Sequence, residues 1–244
     1  PLAWLLHLPR EWADDKPRRA QAGVPPDIAF ATKGELARAQ IEAVLAQSHP
    51  RGTVLMDAGY GDEAALRDWL TAHDLPYAVG IRPQTAVWWD THQPVIPTGK
   101  QPRGRPRVRV QRDAKHLPIS VAELARTLPA KSYRTVTWRE GTKSPLRSRF
   151  ARVRVHTAQA NRARAEEWLL IEWPAGEAEP TRYFLSTLPD DISFKALVDT
   201  VKMRWRIEHD YRELKQELGL GHYEGRNWRG FHHHASLCIA AYGF

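Results

Sequence analysis

Two acidic residues in this sequence stand where a side chain could do chemistry. Asp57 closes the apolar stretch TVLM and opens the glycine-rich turn AGYG. Carboxylates at the C-terminal ends of strands in open α/β sheets commonly serve ligand binding or catalysis. The second acid is Glu208, within RWRIEHDYRELK (204–215). On a helical wheel drawn through 197–218, Leu197, Val198, Val201, Trp205, Ile207, Tyr211, Leu214 and Leu218 form one apolar arc. Arg204, Glu208 and Lys215 fall within about 40° of one another in the middle of that arc. An inward Glu208 needs a cation, a metal or a cleft, because a buried unpaired carboxylate is costly. The plain structural alternatives are an Arg204–Glu208 bridge at the edge of the core and an Asp57 that only accepts turn amides. Taken together, a strand-end aspartate and an inward glutamate suit a hard divalent cation such as Mg²⁺, which takes few protein carboxylates and leaves positions open for phosphate oxygens. Two-metal phosphodiester chemistry is the reaction that follows.

The elements that must position these residues can be read from periodicity. AWLLHLP (3–9) reads as a buried strand, and 33–49 as a helix with Leu36, Ile41, Val44 and Leu45 at helical spacing. TVLM before Asp57 is a strand. DEAALRDWLTAHD (62–74) is an amphipathic helix with Leu66, Trp69 and Leu70 inward and Asp62 as its N-cap. PYAVGIRP (76–83) is a further strand, and strands alternating with helices over short connections predict an α/β core. From 85 to 190 the pattern alternates, as in 133–140, 149–157, 166–173 and 181–187, which indicates antiparallel β structure. Helix returns over 193–220 as one continuous element and again over 229–244. The expected organisation is a first core segment at 1–84, a β-rich insertion at 85–190 and C-terminal helices at 191–244.

The 244 residues carry a formal charge of +8, which favours a polyanionic partner, nucleic acid first among them. Much of that charge lies in 99–116, where Lys100, Arg103, Arg105, Arg107, Arg109, Arg112 and Lys115 face one acid, Asp113. This run suits a sequence-independent contact with a DNA backbone; KSPLRSR (143–149) is a weaker candidate of the same kind. The one cysteine, Cys238, excludes an internal disulfide and suits a small core position in a reducing compartment. No apolar run reaches the length of a membrane span. His232, His233 and His234 fan across a helix and cannot share one face, which argues against a metal site there. Of the ten tryptophans, Trp69, Trp168, Trp173 and Trp205 read as core, while Trp88, Trp89 and Trp138 lie near basic or turn segments where DNA could be met.

In combination these motifs resemble the DDE transposases of bacterial insertion sequences, in the branch with a β-rich insertion and the signature Tyr-x2-Arg-x3-Glu-x6-Lys. Arg204, Glu208 and Lys215 meet its last three positions, and Val201 stands at the tyrosine position. VLMDAGYGD looks like the strand of the second aspartate, and the stretch from LKQELGLGHYEGRNW to the C-terminus is similar throughout to one group of these proteins. The resemblance implies an RNase H-like core with a β-rich insertion domain. Its implied activity is metal-dependent strand cleavage and strand transfer with Mg²⁺, or Mn²⁺ in its place. Asp57 and Glu208 would be the metal-binding carboxylates, and Arg204 and Lys215 would hold phosphates. Tyr183 or Phe184 would be the aromatic that stacks on a base. A homodimer acting on transposon-end and target DNA, in a bacterial cytoplasm at the nucleoid, is the implied setting. The same resemblance puts the first two strands and the first catalytic aspartate upstream of residue 1, since Asp14, Asp15 and Asp27 do not fit that place. The chain alone is therefore expected to be inactive, and a non-catalytic DNA-binding remnant is the alternative reading.

Overall fold

The computed structural model describes residues 2–89, 117–141, 144–158 and 164–243. The chain divides into two compact units: residues 1–51 together with 204–244, and residues 52–203. The basic run 99–116, with Arg103, Arg105, Arg107 and Arg109, lies outside the described residues.

The first unit opens with three helices, α1 (Arg10–Ala13), α2 (Lys16–Ala22) and α3 (Lys33–Ala46). Asp15 caps α2 by accepting from the Arg18 N–H at 3.0 Å, and Gly23 ends it in the left-handed region at φ 67°. Thr32 and Glu35 form a reciprocal capping box at the start of α3. Arg19 ties the turns between these helices by donating to the carbonyls of Ala13, Pro25 and Ile28 at 3.0, 3.1 and 2.5 Å. The strand expected over 3–9 is not formed. Its apolar composition has no strand to pair with among the described residues; Leu8 is buried, while Leu2 and Leu5 are 64% and 52% exposed.

The second unit is built on one mixed eight-stranded sheet. Its strands are β1 (Val54–Met56), β2 (Tyr77–Ile81), β3 (Ala86–Trp88), β4 (Ile119–Ser120), β5 (Arg134–Arg139), β6 (Leu146–Thr157), β7 (Glu166–Trp173) and β8 (Arg182–Ser186). They run β1-β2-β8-β7-β6-β3-β4, with β5 joined to β6. β1 and β2 are parallel, as a strand–helix–strand crossover requires, and the remaining pairs are antiparallel. β2 thus bonds to β1 on one edge and to β8 on the other, with Ile81 opposite Tyr183 and Ala78 opposite Ser186. Between β1 and β2 lie α4 (Ala58–Gly61) and α5 (Ala64–Ala72), and Leu66, Trp69 and Leu70 of α5 are buried as the amphipathic pattern predicts. After β4 comes α6 (Val121–Thr127), capped by a second reciprocal box between Ser120 and Glu123.

On one side of the sheet, α7 (Phe194–Lys202) lays Leu197, Val198 and Val201 against Ala78, Val136, Phe150, Trp168, Leu170 and Phe184. Each such fully buried aliphatic or aromatic side chain contributes roughly 1.5–3 kcal/mol. The Lys202 ammonium is nearly enclosed there. It bonds both Glu172 carboxylate oxygens at 2.6 and 2.7 Å and lies 4.1 Å over the Trp138 ring centre. A second buried polar group links Tyr77 and Thr157, whose hydroxyls both donate to the Glu167 carboxylate. Burial first, and the Glu167 charge next, push the Tyr77 phenol well above its ordinary value.

The chain returns to the first unit with α8 (Trp205–Gln216) and α9 (Trp228–Gly243). The continuous helix expected over 193–220 is therefore two helices. Met203 caps α7 with its N–H on the Asp199 and Thr200 carbonyls, and Arg204 starts α8 without a side-chain cap. Both residues keep right-handed backbone angles, so no glycine or proline marks the joint. Among the described residues, no helix is long and apolar enough to cross a membrane.

Candidate functional site

Asp57 stands one residue past the C-terminal end of β1 and is exposed. Its extended backbone, at φ −81° and ψ −179°, makes it the N-cap of α4, and its Oδ1 accepts the Gly59 N–H at 2.8 Å. The turn lies directly on β2 because two glycines meet there. A side chain on Gly80 would stand 2.9 Å from the Ala58 nitrogen, and one on Gly61 would stand 2.7 Å from the Val79 Cβ. Arg67 of α5, 1% exposed, donates to the Gly61 carbonyl and so fastens the far end of the same turn. Asp62 is not the N-cap of α5; Glu63 holds that position without a capping bond. Asp62 instead accepts from the Thr85 hydroxyl at 2.7 Å and lies 3.7 Å from the Arg82 guanidinium, tying the α4–α5 link to the β2–β3 link. Sequence reading marked Asp57 but not these supports, since glycine contact and a buried arginine leave no periodic signal.

In the first unit, Arg204 and Glu208 are brought together as an ion pair one helical turn apart. Their side chains are 22% and 61% exposed, so the expectation of an inward Glu208 is corrected. Ile207 and Tyr211, expected on the same buried arc, are 50% and 54% exposed; of the α8 residues only Leu214 is buried. The wheel failed because it carried one face through 197–218, whereas α7 buries its face in the second unit and α8 belongs to the first. Glu208 lies in the first turn of α8 and Lys215 in its last, each at the helix end whose dipole favours its charge. Lys215 Nζ sits 4.9 Å from the Tyr211 ring centre.

A group absent from the sequence reading converges on the same helix. Ligand-type atoms of His209, Asp210 and Glu213 lie within 4.8 Å of one another. The Tyr242 hydroxyl of α9 donates to Asp210 at 2.9 Å and Glu213 at 3.0 Å, and these bonds, Asp210 first, raise its phenol above the ordinary value. The spacing i, i+1, i+4 carries the signal, but in so charged a helix it does not stand out. The consecutive histidines have other duties. His232 accepts a place between Trp4 and Trp228, at ring-centre distances of 5.1 and 4.2 Å, and His234 bonds the Gly219 carbonyl at 2.9 Å. Cys238 is buried and donates to the Leu218 carbonyl.

The aromatic candidates lie inside the second unit. Tyr183 and Phe184 are 4% and 7% exposed, and Phe184 belongs to the cluster under α7. A base could reach either ring only by displacing that packing. Trp88, read from sequence as near DNA, is 1% exposed and packs with Ala86 and Ala158. Trp138 is partly buried, edge-on to Phe150 at 5.8 Å and covered by Lys202.

A mixed α/β unit with a carboxylate at the end of its parallel strand pair is compatible with the DDE nuclease class of folds. The sequence matches the family described as DDE superfamily endonuclease over residues 1–145, more than half of the chain, and the chain belongs to that family. Among curated proteins, none matches the sequence. The matched region contains Asp57 and ends before Glu208. Membership points to nuclease-type chemistry on DNA, which in this superfamily normally uses divalent metal ions.

Proposed function

We propose that this chain is the catalytic part of an insertion-sequence transposase that cleaves and joins DNA with Mg²⁺ or Mn²⁺. The observation that carries this reading is Asp57, an exposed carboxylate held at a strand end on a glycine-packed turn, inside the region that matches the endonuclease family. The signature spacing of Arg204, Glu208 and Lys215 supports the transposase branch.

Asp57 and Glu208, each in its own unit, are exposed carboxylates, the kind of oxygen ligand a hard divalent cation takes. Metal held by them would polarise a phosphodiester and supply a hydroxide-like nucleophile. The chain's own residues then have separate tasks. Gly59 N–H fixes one Asp57 oxygen and leaves the carboxylate oriented by the turn. Arg204, freed from Glu208, and Lys215 bind phosphate oxygens, Arg204 with the forked geometry a phosphate accepts. In this reading 1–84 and 191–244 are the core segments, 85–190 is the insertion, and two copies act together in the cytoplasm on transposon ends and target.

The second reading, a DNA-binding remnant without catalysis, is favoured by the Arg204–Glu208 pair, in which the carboxylate is already neutralised. Calorimetric Mn²⁺ titration of the chain with transposon-end DNA present separates the two. Metal heat that Asp57→Asn and Glu208→Gln both abolish supports the transposase. Salt-dependent DNA binding without metal heat sinks it and leaves the remnant.

A further inference from the structure

The first unit contains a cavity of about 640 Å³ between the N-terminal residues 6–24 and the turn at 223–231. That size lies within the range of roughly 300–1,000 Å³ usual for small-molecule sites. Its walls are apolar and aromatic, with Trp12, Trp228, Tyr223 and Phe231 the largest aromatic side chains. Among the described residues its charged lining is Arg18 and Arg226, both exposed, and no carboxylate lines it. The Arg18 guanidinium lies 3.7 Å over the Trp12 ring centre, stacked on one face of that ring. Gln21 and Asn227 add side-chain amides.

The walls are built firmly. Tyr223 Oη donates to the Asn227 carbonyl at 3.1 Å, Asn227 Oδ1 accepts the Gly230 N–H at 2.6 Å, and Gly225 and Gly230 both abut the Tyr223 ring so closely that neither could carry a Cβ in place. On the facing side Arg19 holds the turn that carries Val24 through three carbonyls.

We infer that this cavity binds a nucleotide of single-stranded DNA, its base on the Trp228 and Trp12 walls and its phosphates on Arg18 and Arg226. Aromatic walls select a flat apolar body, cations without carboxylates select an anion, and the amides can meet the polar edge of a base. A DNA strand joins these features in one repeating unit, and the inference rests on the nuclease reading for the choice of DNA over a free nucleotide. It is independent of Asp57 and Glu208.

Fluorescence anisotropy with the whole chain tests it, using a labelled oligothymidine, the same strand carrying abasic positions, and a duplex of equal length. The oligothymidine is expected to bind roughly tenfold more tightly than the abasic strand, the effect of one stacked base. Trp228→Leu should remove that difference. Arg18→Gln and Arg226→Gln should each lower the salt slope by about 0.7; both side chains are exposed, so these variants keep the test valid if Trp228→Leu fails to fold. Equal binding of the intact and abasic strands overturns the site, as does an oligothymidine preference that survives all three variants. Thymidine monophosphate competing as well as the strand would assign the cavity to free nucleotides and overturn the strand assignment. Mn²⁺ heat that Asp57→Asn abolishes, persisting in any of these cases, leaves the nuclease reading standing, so the two can fail separately.

Discussion

Gly80 and Asp57 meet backbone to backbone: a Cβ on Gly80 would lie 3.2 Å from the Asp57 carbonyl carbon and 2.9 Å from the Ala58 nitrogen. The position of the candidate catalytic carboxylate is thus set by the absence of a side chain on the neighbouring strand. Gly80→Ala is expected to cost about 1–3 kcal/mol, the usual penalty of overpacking. A lowered urea midpoint, together with loss of Mn²⁺ heat attributable to Asp57, is the expected result; unchanged stability would show that the turn does not rest on β2.

Arg204→Gln should separate structure from function. The Arg204–Glu208 pair is largely solvated on the glutamate side, and exposed pairs contribute about 1 kcal/mol or less. Chemical denaturation should therefore change little, while affinity for DNA falls if the guanidinium holds phosphate. A stability loss well beyond that range would make the pair structural.

The Lys202–Glu172 pair behaves in the opposite way. Its side chains are 11% and 5% exposed, so removing one partner strands a buried charge at a cost of about 3–5 kcal/mol. Lys202→Met and Glu172→Gln should each destabilise strongly, and the double variant should lose much less than their sum. Additive losses in that double-mutant cycle would contradict coupling across α7 and β7.

Acid should weaken α3 and α6 through their capping boxes. Glu35 and Glu123 are held below the ordinary carboxyl value of 4.5 by hydrogen bonds to the Thr32 and Ser120 backbones. A depressed folded-state value means the contribution is complete above 4.5 and fades as pH falls through the lower folded value. Melts of the parent and of Glu35→Gln, Glu123→Gln should differ at neutral pH and converge in acid. Parallel curves at all pH values would exclude this role.

Much of the second unit could be read from sequence, because burial there follows period. Leu66, Trp69 and Leu70 repeat at helical spacing, and β2 is an apolar run buried on both faces. Asp57 was visible because an acid directly after TVLM breaks an apolar pattern. What period cannot reveal is a partner. The run 3–9 is as apolar as β2 yet pairs with no strand among the described residues. The joint at Met203 and Arg204 has no sequence marker, because both residues stay in helical geometry. A wheel that treats the helix as continuous turns Glu208 inward, while the folded chain leaves it in solvent. Arg67 and the Gly61–Gly80 contact act through space alone, and spacing along the chain does not record them.

The antiparallel pairing of Ile81 with Tyr183 has a last consequence. Between β2 and β8 the chain lays β3 to β7 into the same sheet on the far side of β8, so β8 is the strand through which they reach β2. The turns between the outer strands can lengthen or shorten while β1, β2 and β8 keep their pairing. Such a sheet can diversify at its far end while the strand that leads into Asp57 stays where it was.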